Sequence, residues 1–400
     1  MKQFEITYFY GPTEEYIGKP ETVKHMAESG ITLGQLTYST EGNKTALRLL
    51  GEQGMRAEVT DARIGKLYRE EDFDSVDSVV KEVVEDYRAF DNLIGFDLVD
   101  EPNASKFPIL GAIVAAFRKY APDKETVINL FPNYATPGQL GNPTYRDHLE
   151  EFVRIVNPHL ISYDHYHFIG REKRRSIIVD DTVDEREREI RLAAEKTENR
   201  GGFFDNIEII REIAVKYAID PMLIVLLIEH GPYRNLTRAE LSWEANMCLV
   251  YGMKRVSFFT YWEPGFDEHW QWANAMCDQK GNRMQHWYDV QAISGNIRTI
   301  GEMLFDKKSL EVFHVGASEK ETRPFASYGD IQSIEGNDLV VGFFEDRLMY
   351  LVNRDFVRPN TLVIHSKNLL SVWKGGRFEP VPDGQPITLE AGGAVLLKGC

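Results

Sequence analysis

The sequence predicts an α/β protein: a (β/α)8 barrel over residues 1–307, followed by an all-β sandwich over residues 308–400. Three observations predict it. Eight short apolar runs begin near residues 5, 31, 55, 93, 126, 159, 221 and 255, and amphipathic segments alternate with them. No GxGxxG follows the first run, and six strands ordinarily suffice for the doubly wound sheet that is the competing architecture. After about residue 308 the helical spacing gives way to short alternating runs separated by Gly, Asp, Asn and Pro.

The elements follow in order. EITYFY (5–10) reads as a strand, and PETVKHMAESG (20–30) as a helix closed by Gly30. ITLGQLTY (31–38) is the second strand and NKTALRLLGEQG (43–54) its helix; MRAEVTDA (55–62) is the third strand. Residues 74–90 carry apolar side chains at helical spacing behind an Asp. LIGFDLVDEP (93–102) is strand four, with a helix inside 107–122, and TVINLFP (126–132) is strand five. Thr144 and Asp147 open the next helix with capping-box spacing. HLISYDHYHF (159–168), PMLIVLLIEHG (221–231) and RVSFFTYW (255–262) are strands six, seven and eight, with a helix opening at Thr237 and a last one inside 287–305. The widest gap, 171–200, holds 18 charged residues in 30, nine of each sign. That is a solvated helix, or else a lid or an oligomer contact. Beyond 308, six alternating runs build the sandwich, and LEAGGAVLLKG reads as its final hairpin strand.

Composition narrows the function. Of the 400 residues, 43% are hydrophobic and 27% charged, which places the chain among globular proteins. A net charge of −16 disfavours nucleic-acid backbones and anionic membranes as partners. Aromatic residues at 12% favour a site that stacks flat polar ligands. Three cysteines (Cys248, Cys277, Cys400) build no disulfide framework, and no CxxC or Cys/His spacing marks a zinc site. The N-terminus lacks the apolar core of a signal peptide, so the expected location is cytoplasmic, unless a leader has been removed. The longest apolar run, Met222 to Ile228, is too short to span a bilayer.

In such a barrel the chemistry gathers where the strands end. Those ends carry Asp61 and Arg63, then Asp100-Glu101-Pro102-Asn103, then Asn129 and Asn133-Tyr134. They continue with Tyr163-Asp164-His165-Tyr166-His167, Glu229-His230 and Tyr261-Trp262-Glu263. Two carboxyl groups across a pocket suit glycoside hydrolysis, one protonated to donate and one ionised to attack. Glu101 and Glu229, ending strands four and seven, are that pair, and Asp100 beside Glu101 raises its pKa by like-charge repulsion. The plainer readings make Glu101 a helix-terminal acid and Glu229 a loop carboxylate paired with Arg234 or Arg238.

GFDLVDEPN (95–103), a strand-seven Glu and FFTYWEP (258–264) together resemble glycoside hydrolase clan A. INLFPNYA (128–135), ISYDHYHF (161–168) and residues 230–264 are similar to poorly characterised barrel proteins near the β-galactosidase and β-glucanase families. The resemblance spans roughly 1–305. It implies a retaining mechanism on β-linked sugars, with Glu101 as acid/base and Glu229 as nucleophile, Glu263 standing in reserve. Asp100 departs from it, because the clan has Asn there, contacting the sugar 2-hydroxyl. On this reading Trp262 is a sugar platform, extended by Trp270 and Trp272. Asp61, Asn133, Tyr163, Asp164, His165, Tyr166, His230, Arg234 and Glu263 make further contacts. A carbohydrate is the expected partner, with neither cofactor nor metal required and the oligomeric state open. Two alternatives share the barrel: a non-catalytic carbohydrate-binding protein, and a metal-assisted hydrolase or lyase using His165, His167 and Asp164.

Overall fold

The computed structural model describes residues 3–169, 200–265, 271–316 and 322–399. Residues 171–199 of the charged segment, and Trp270, lie outside them.

Eight parallel strands form the barrel: β1 (Glu5–Phe9), β2 (Leu33–Leu36), β3 (Arg56–Val59), β4 (Leu93–Asp100), β5 (Glu125–Leu130), β6 (Leu160–Asp164), β7 (Asp220–Leu226) and β8 (Arg255–Phe259). Their order is β1-β8-β7-β6-β5-β4-β3-β2. Thr32 closes the ring between β1 and β2: its N–H donates to Ile6 O at 2.8 Å, and Ile6 N–H donates to its Oγ1 at 3.0 Å. Even-period alternation sends Val127, Leu160, Met222 and Ile224 into the barrel with Phe9 and Phe259. The intervening residues face the helix layer, as Phe96 does in stacking on Phe117 at 4.5 Å.

Several strands end earlier than expected. β6 stops at Asp164, so His165, Tyr166 and His167 lie on the loop above it. β7 stops at Leu226, where Leu227 and Ile228 both donate to Phe259 O and break the ladder, leaving Glu229 beyond the strand. Two longer helices, Ala62–Glu70 and Phe203–Tyr217, and two single-turn ones, Glu14–Ile17 and Pro137–Leu140, are additions to the expected set. Ala62–Glu70 is short and amphipathic, burying only Ile64 and Leu67, and Asp61 caps it. Among the described residues no helix is long and apolar enough to cross a membrane.

The helix Gln285–Leu304 ends the barrel, and β9 (Ser309–Val315) opens the sandwich. Its strands are β10 (Ile331–Glu335), β11 (Leu339–Phe344), β12 (Leu348–Asn353), β13 (Asn360–Ser366), β14 (Leu370–Lys374), β15 (Arg377–Val381), β16 (Ile387–Leu389) and β17 (Ala394–Gly399). One sheet runs β15-β14-β17-β12-β11-β9 and the other β10-β13-β16. Leu339, Val341 and Leu351 meet Ile334, Leu362 and Leu389 between the sheets. The opposite face of the larger sheet (Val340, Phe344, Tyr350, Val352) joins the barrel's own core. Burial on both faces explains the unbroken apolar run LVVGFF. Gly342 is required there, because a side chain would run into Val250 O of the helix Arg238–Val250. The final strand is not a hairpin arm: β17 pairs with β12 and β14, while β16 lies in the other sheet.

Candidate active site

The mouth is built from the strand ends. Glu101 follows β4 directly in the left-handed region (φ 46°), and its N–H donates to Asn129 O at 2.8 Å. The helix behind it, Phe107–Tyr120, has no acid in its first turn, so Glu101 is not a helix-terminal charge. Asn129, on β5, donates one amide bond to Asp100 at 2.9 Å and another to Asp164 at 3.0 Å. Its own oxygen accepts from Ser162 Oγ at 2.9 Å. One amide thus ties carboxyl groups of β4 and β6 together.

Among the described residues no Lys or Arg pairs with this cluster. Burial, then the neighbouring charge of Asp100, pushes Glu101 up to about 7. Burial also raises Asp100, against the Asn129 hydrogen bond. Asp164 is raised well above the carboxylate range by burial, then by Glu101 and Asp100. Deeper in the barrel, burial and the Glu58 charge raise Asp97 to about 8, while the amide of Gln35 donates to it.

The β7–β8 side is different in kind. Glu229 and Ala273 exchange backbone hydrogen bonds at 2.9 and 3.0 Å, and Asn274 Nδ2 donates to Glu229 Oε2 at 2.6 Å. His230 stacks on Trp272 at 4.7 Å and tilts against Tyr233 at 4.8 Å. Tyr166 joins the two sides. It stacks on Phe259 at 5.3 Å, meets Tyr233 and His230 edge-on, and lies within electrostatic reach of Asp164 and Asp100.

Other expected contacts fall elsewhere. Tyr163 is corrected outright: it is fully buried among Tyr145, Cys248 and Tyr251, because alternation along β6 turns it to the helix layer while Ser162 and Asp164 face the barrel. Trp262 is 2% exposed and packs against Tyr16 at 4.9 Å, so it is a wall filler and not an open platform. Asp61 is buried, caps Ala62–Glu70 and pairs with Arg63 at 2.8 Å. Asn133 donates to Asn206 at 2.9 Å and Gly202 at 3.0 Å, fastening its loop to Phe203–Tyr217. Arg234 pairs with Glu240, whose capping box starts Arg238–Val250. Glu263 is half-buried, its N–H donating to Cys277 O at 2.9 Å, and burial and then Asp278 raise its pKa.

The two histidines proposed for a metal part company. His165 sits between Tyr134 and Phe203, with Nδ1 3.1 Å from Asn206 Oδ1; His167 stacks on Trp243. Burial lowers them to about 3 and about 4, so both are neutral. Among the described residues no group of three or more His, Cys, Asp or Glu is arranged to hold a metal ion.

Four residues carry no signal in the sequence. Tyr10 follows β1, 44% exposed, with φ 69°. Arg200 stacks its guanidinium 4.0 Å from the ring centre of Tyr134. Asp97 was hidden inside an apolar strand, three residues before its mouth end at Asp100. Asn274 lies in a loop with no pattern of its own.

No protein-family model matches the chain, and no curated protein does either. Solved structures do. A beta-galactosidase from Bacillus circulans sp. alkalophilus matches with a TM-score of 0.64 over 100% of this chain and 99% of that one, at 7% identity. A catalytic mutant of a GH42 beta-galactosidase from G. stearothermophilus matches at 0.61 over 99% and 98%, at 8% identity. A family 5 glycoside hydrolase from Bacteroides vulgatus matches at 0.59 over 99% and 89%, at 9% identity. At these identities the likeness is one of fold: a parallel (β/α)8 barrel followed by a C-terminal β domain, shared with these glycoside hydrolase structures.

Proposed function

We propose that the chain is a retaining glycoside hydrolase of β-linked sugars or oligosaccharides, with Glu101 as acid/base and Glu229 as nucleophile. The observation that carries this reading is the state of Glu101. A strand-end carboxyl raised to about 7 holds its proton in about half the molecules at neutral pH, and can surrender it to a leaving oxygen.

In the first step Glu101 gives its proton to the glycosidic oxygen while a Glu229 oxygen bonds to C1 and the C1–O bond breaks. In the second, the Glu101 carboxylate takes a proton from water, the water oxygen bonds to C1, and the bond to Glu229 breaks. Asp100 and Asp164, oriented by Asn129, face the sugar hydroxyls, and burial raises the pKa of both. Tyr10, exposed at the mouth, is a sugar-stacking face.

A panel of 4-nitrophenyl β-D-glycosides tests the reading. The galactoside comes first, because two structures of this fold are named beta-galactosidases. Glu101→Ala should still form the glycosyl-enzyme from 2,4-dinitrophenyl glycosides, whose leaving group needs no acid, but release it slowly, and azide should accelerate that release with a β-glycosyl azide as product. Glu229→Gly with azide should give the α-azide. No turnover across the panel, or an unchanged Glu229→Gly, would sink the proposal.

A further inference from the structure

Nine non-glycine residues among those described hold a positive φ. Glu71, Asn157 and Ala218 do so as left-handed caps at helix C-termini, an ordinary place for that conformation. Asp338, Asp346 and Arg347 do so in turns of the sandwich. The remaining three are Tyr10, Glu101 and Asn274, and all three stand at the barrel mouth, following β1, β4 and β8. Left-handed L-residues persist only where the surroundings hold them, and outside caps and turns they gather at functional sites.

What holds Asn274 (φ 62°) is visible on both sides of it. Ala273 exchanges two backbone hydrogen bonds with Glu229, beyond β7. Met276 and Cys277 donate to Thr260 O at 3.4 Å and Tyr261 O at 2.8 Å, beyond β8. The segment therefore bridges the ends of two barrel strands, and the left-handed step between these anchors places the Asn274 amide 2.6 Å from the Glu229 carboxylate. Glycine would satisfy the backbone here more easily but would deliver no amide. A Lys or Arg would reach the carboxylate and neutralise it. A neutral N–H donor orients the group without adding a charge of its own.

We propose that Asn274 is the positioning residue of Glu229, holding its carboxylate in the orientation from which it attacks C1. This inference rests on the reading of Glu229 as nucleophile. The experiment compares the unsubstituted protein with Asn274→Gly, Asn274→Asp and Glu229→Gln on whichever 4-nitrophenyl β-D-glycoside of the panel is hydrolysed fastest. Melting temperature, kcat, KM and the pH profile of kcat/KM are measured for each. Asn274→Gly relieves the backbone, so its melting temperature should stay within about 2 °C and KM within about threefold. Its kcat should fall about 10- to 100-fold. Asn274→Asp puts two carboxyl groups on one hydrogen bond, and the acidic limb should move to higher pH. Full kcat in Asn274→Gly beside an inactive Glu229→Gln overturns this inference alone. So does a kcat loss that merely follows a drop in melting temperature, with the acidic limb of Asn274→Asp unmoved. An inactive unsubstituted protein, or an active Glu229→Gln, overturns the catalytic reading, and this inference with it.

Discussion

The two ends of the barrel solve the same problem in opposite ways. Both bury carboxylates. At the base, where the strands begin, each carboxylate meets a guanidinium: Arg255 pairs with Glu58 at 2.5 Å and with Glu125, and Arg56 pairs with Glu5. Burial lowers the Arg255 pKa, but Glu58 and Glu125 outweigh it and hold the guanidinium charged; Glu58 is itself raised by burial, with Arg255 pulling it back down, a counterweight the mouth carboxyls do not have among the described residues. At the mouth, Asp100, Glu101 and Asp164 meet one another and the amide of Asn129, and all three hold their protons too tightly. Charge is matched where the barrel is held together and left unmatched where a proton has to move.

That contrast can be broken in four places, from the largest expected effect to the smallest. Glu101→Gln at the mouth should cost about a thousandfold in kcat/KM on an unactivated β-linked disaccharide while leaving the melting temperature unchanged or slightly higher. Arg255→Met at the base should do the reverse. It strands Glu58 and Glu125, so denaturant unfolding should show a loss of about 3–5 kcal/mol, with kcat per folded molecule unaltered. A base variant that lost activity without losing stability would erase the distinction.

Asp97 lies between the two ends and gives the third test. Its folded pKa of about 8 exceeds the unfolded value, so the unfolded chain releases that proton at a lower pH than the folded chain does. Below about pH 4 both states are protonated and nothing is lost; stability then falls as pH rises toward 8. Asp97→Asn, which keeps an oxygen for Gln35, should raise the melting temperature by roughly 2 to 5 °C at pH 8 and by nothing at pH 4. The smallest effect is that of Asp100→Asn. Burial is the main cause of the raised Glu101 pKa and the Asp100 charge the lesser one. Removing that charge should therefore move the alkaline limb of kcat/KM to lower pH by less than about one unit.

The barrel was legible because eight apolar runs alternate with helical spacing, a pattern set by parallel strands buried under helices. Asp100, Glu101, Asn129 and Asp164 were legible by position alone, since each stands at the mouth end of its strand. Side-chain direction was not. In ISYD both faces of β6 are buried, so nothing in the hydrophobic pattern tells Tyr163, which faces the helices, from Asp164, which faces the mouth. The base network was equally hidden, because charges that start a strand, as Glu125 and Arg255 do, look like solvated ends until the ring closes and brings them together with Glu58 from residues far apart in sequence. Asn274 became visible only through the backbone, by a φ that sequence does not encode.

The most direct test of the account is the alkaline limb of kcat/KM on a hydrolysed aryl β-glycoside, which reports the free protein and the first chemical step. The account expects activity to fall as pH rises through about 7, and expects that limb to vanish in Glu101→Gln. A flat profile to pH 9, or a limb that survives in Glu101→Gln, would contradict it.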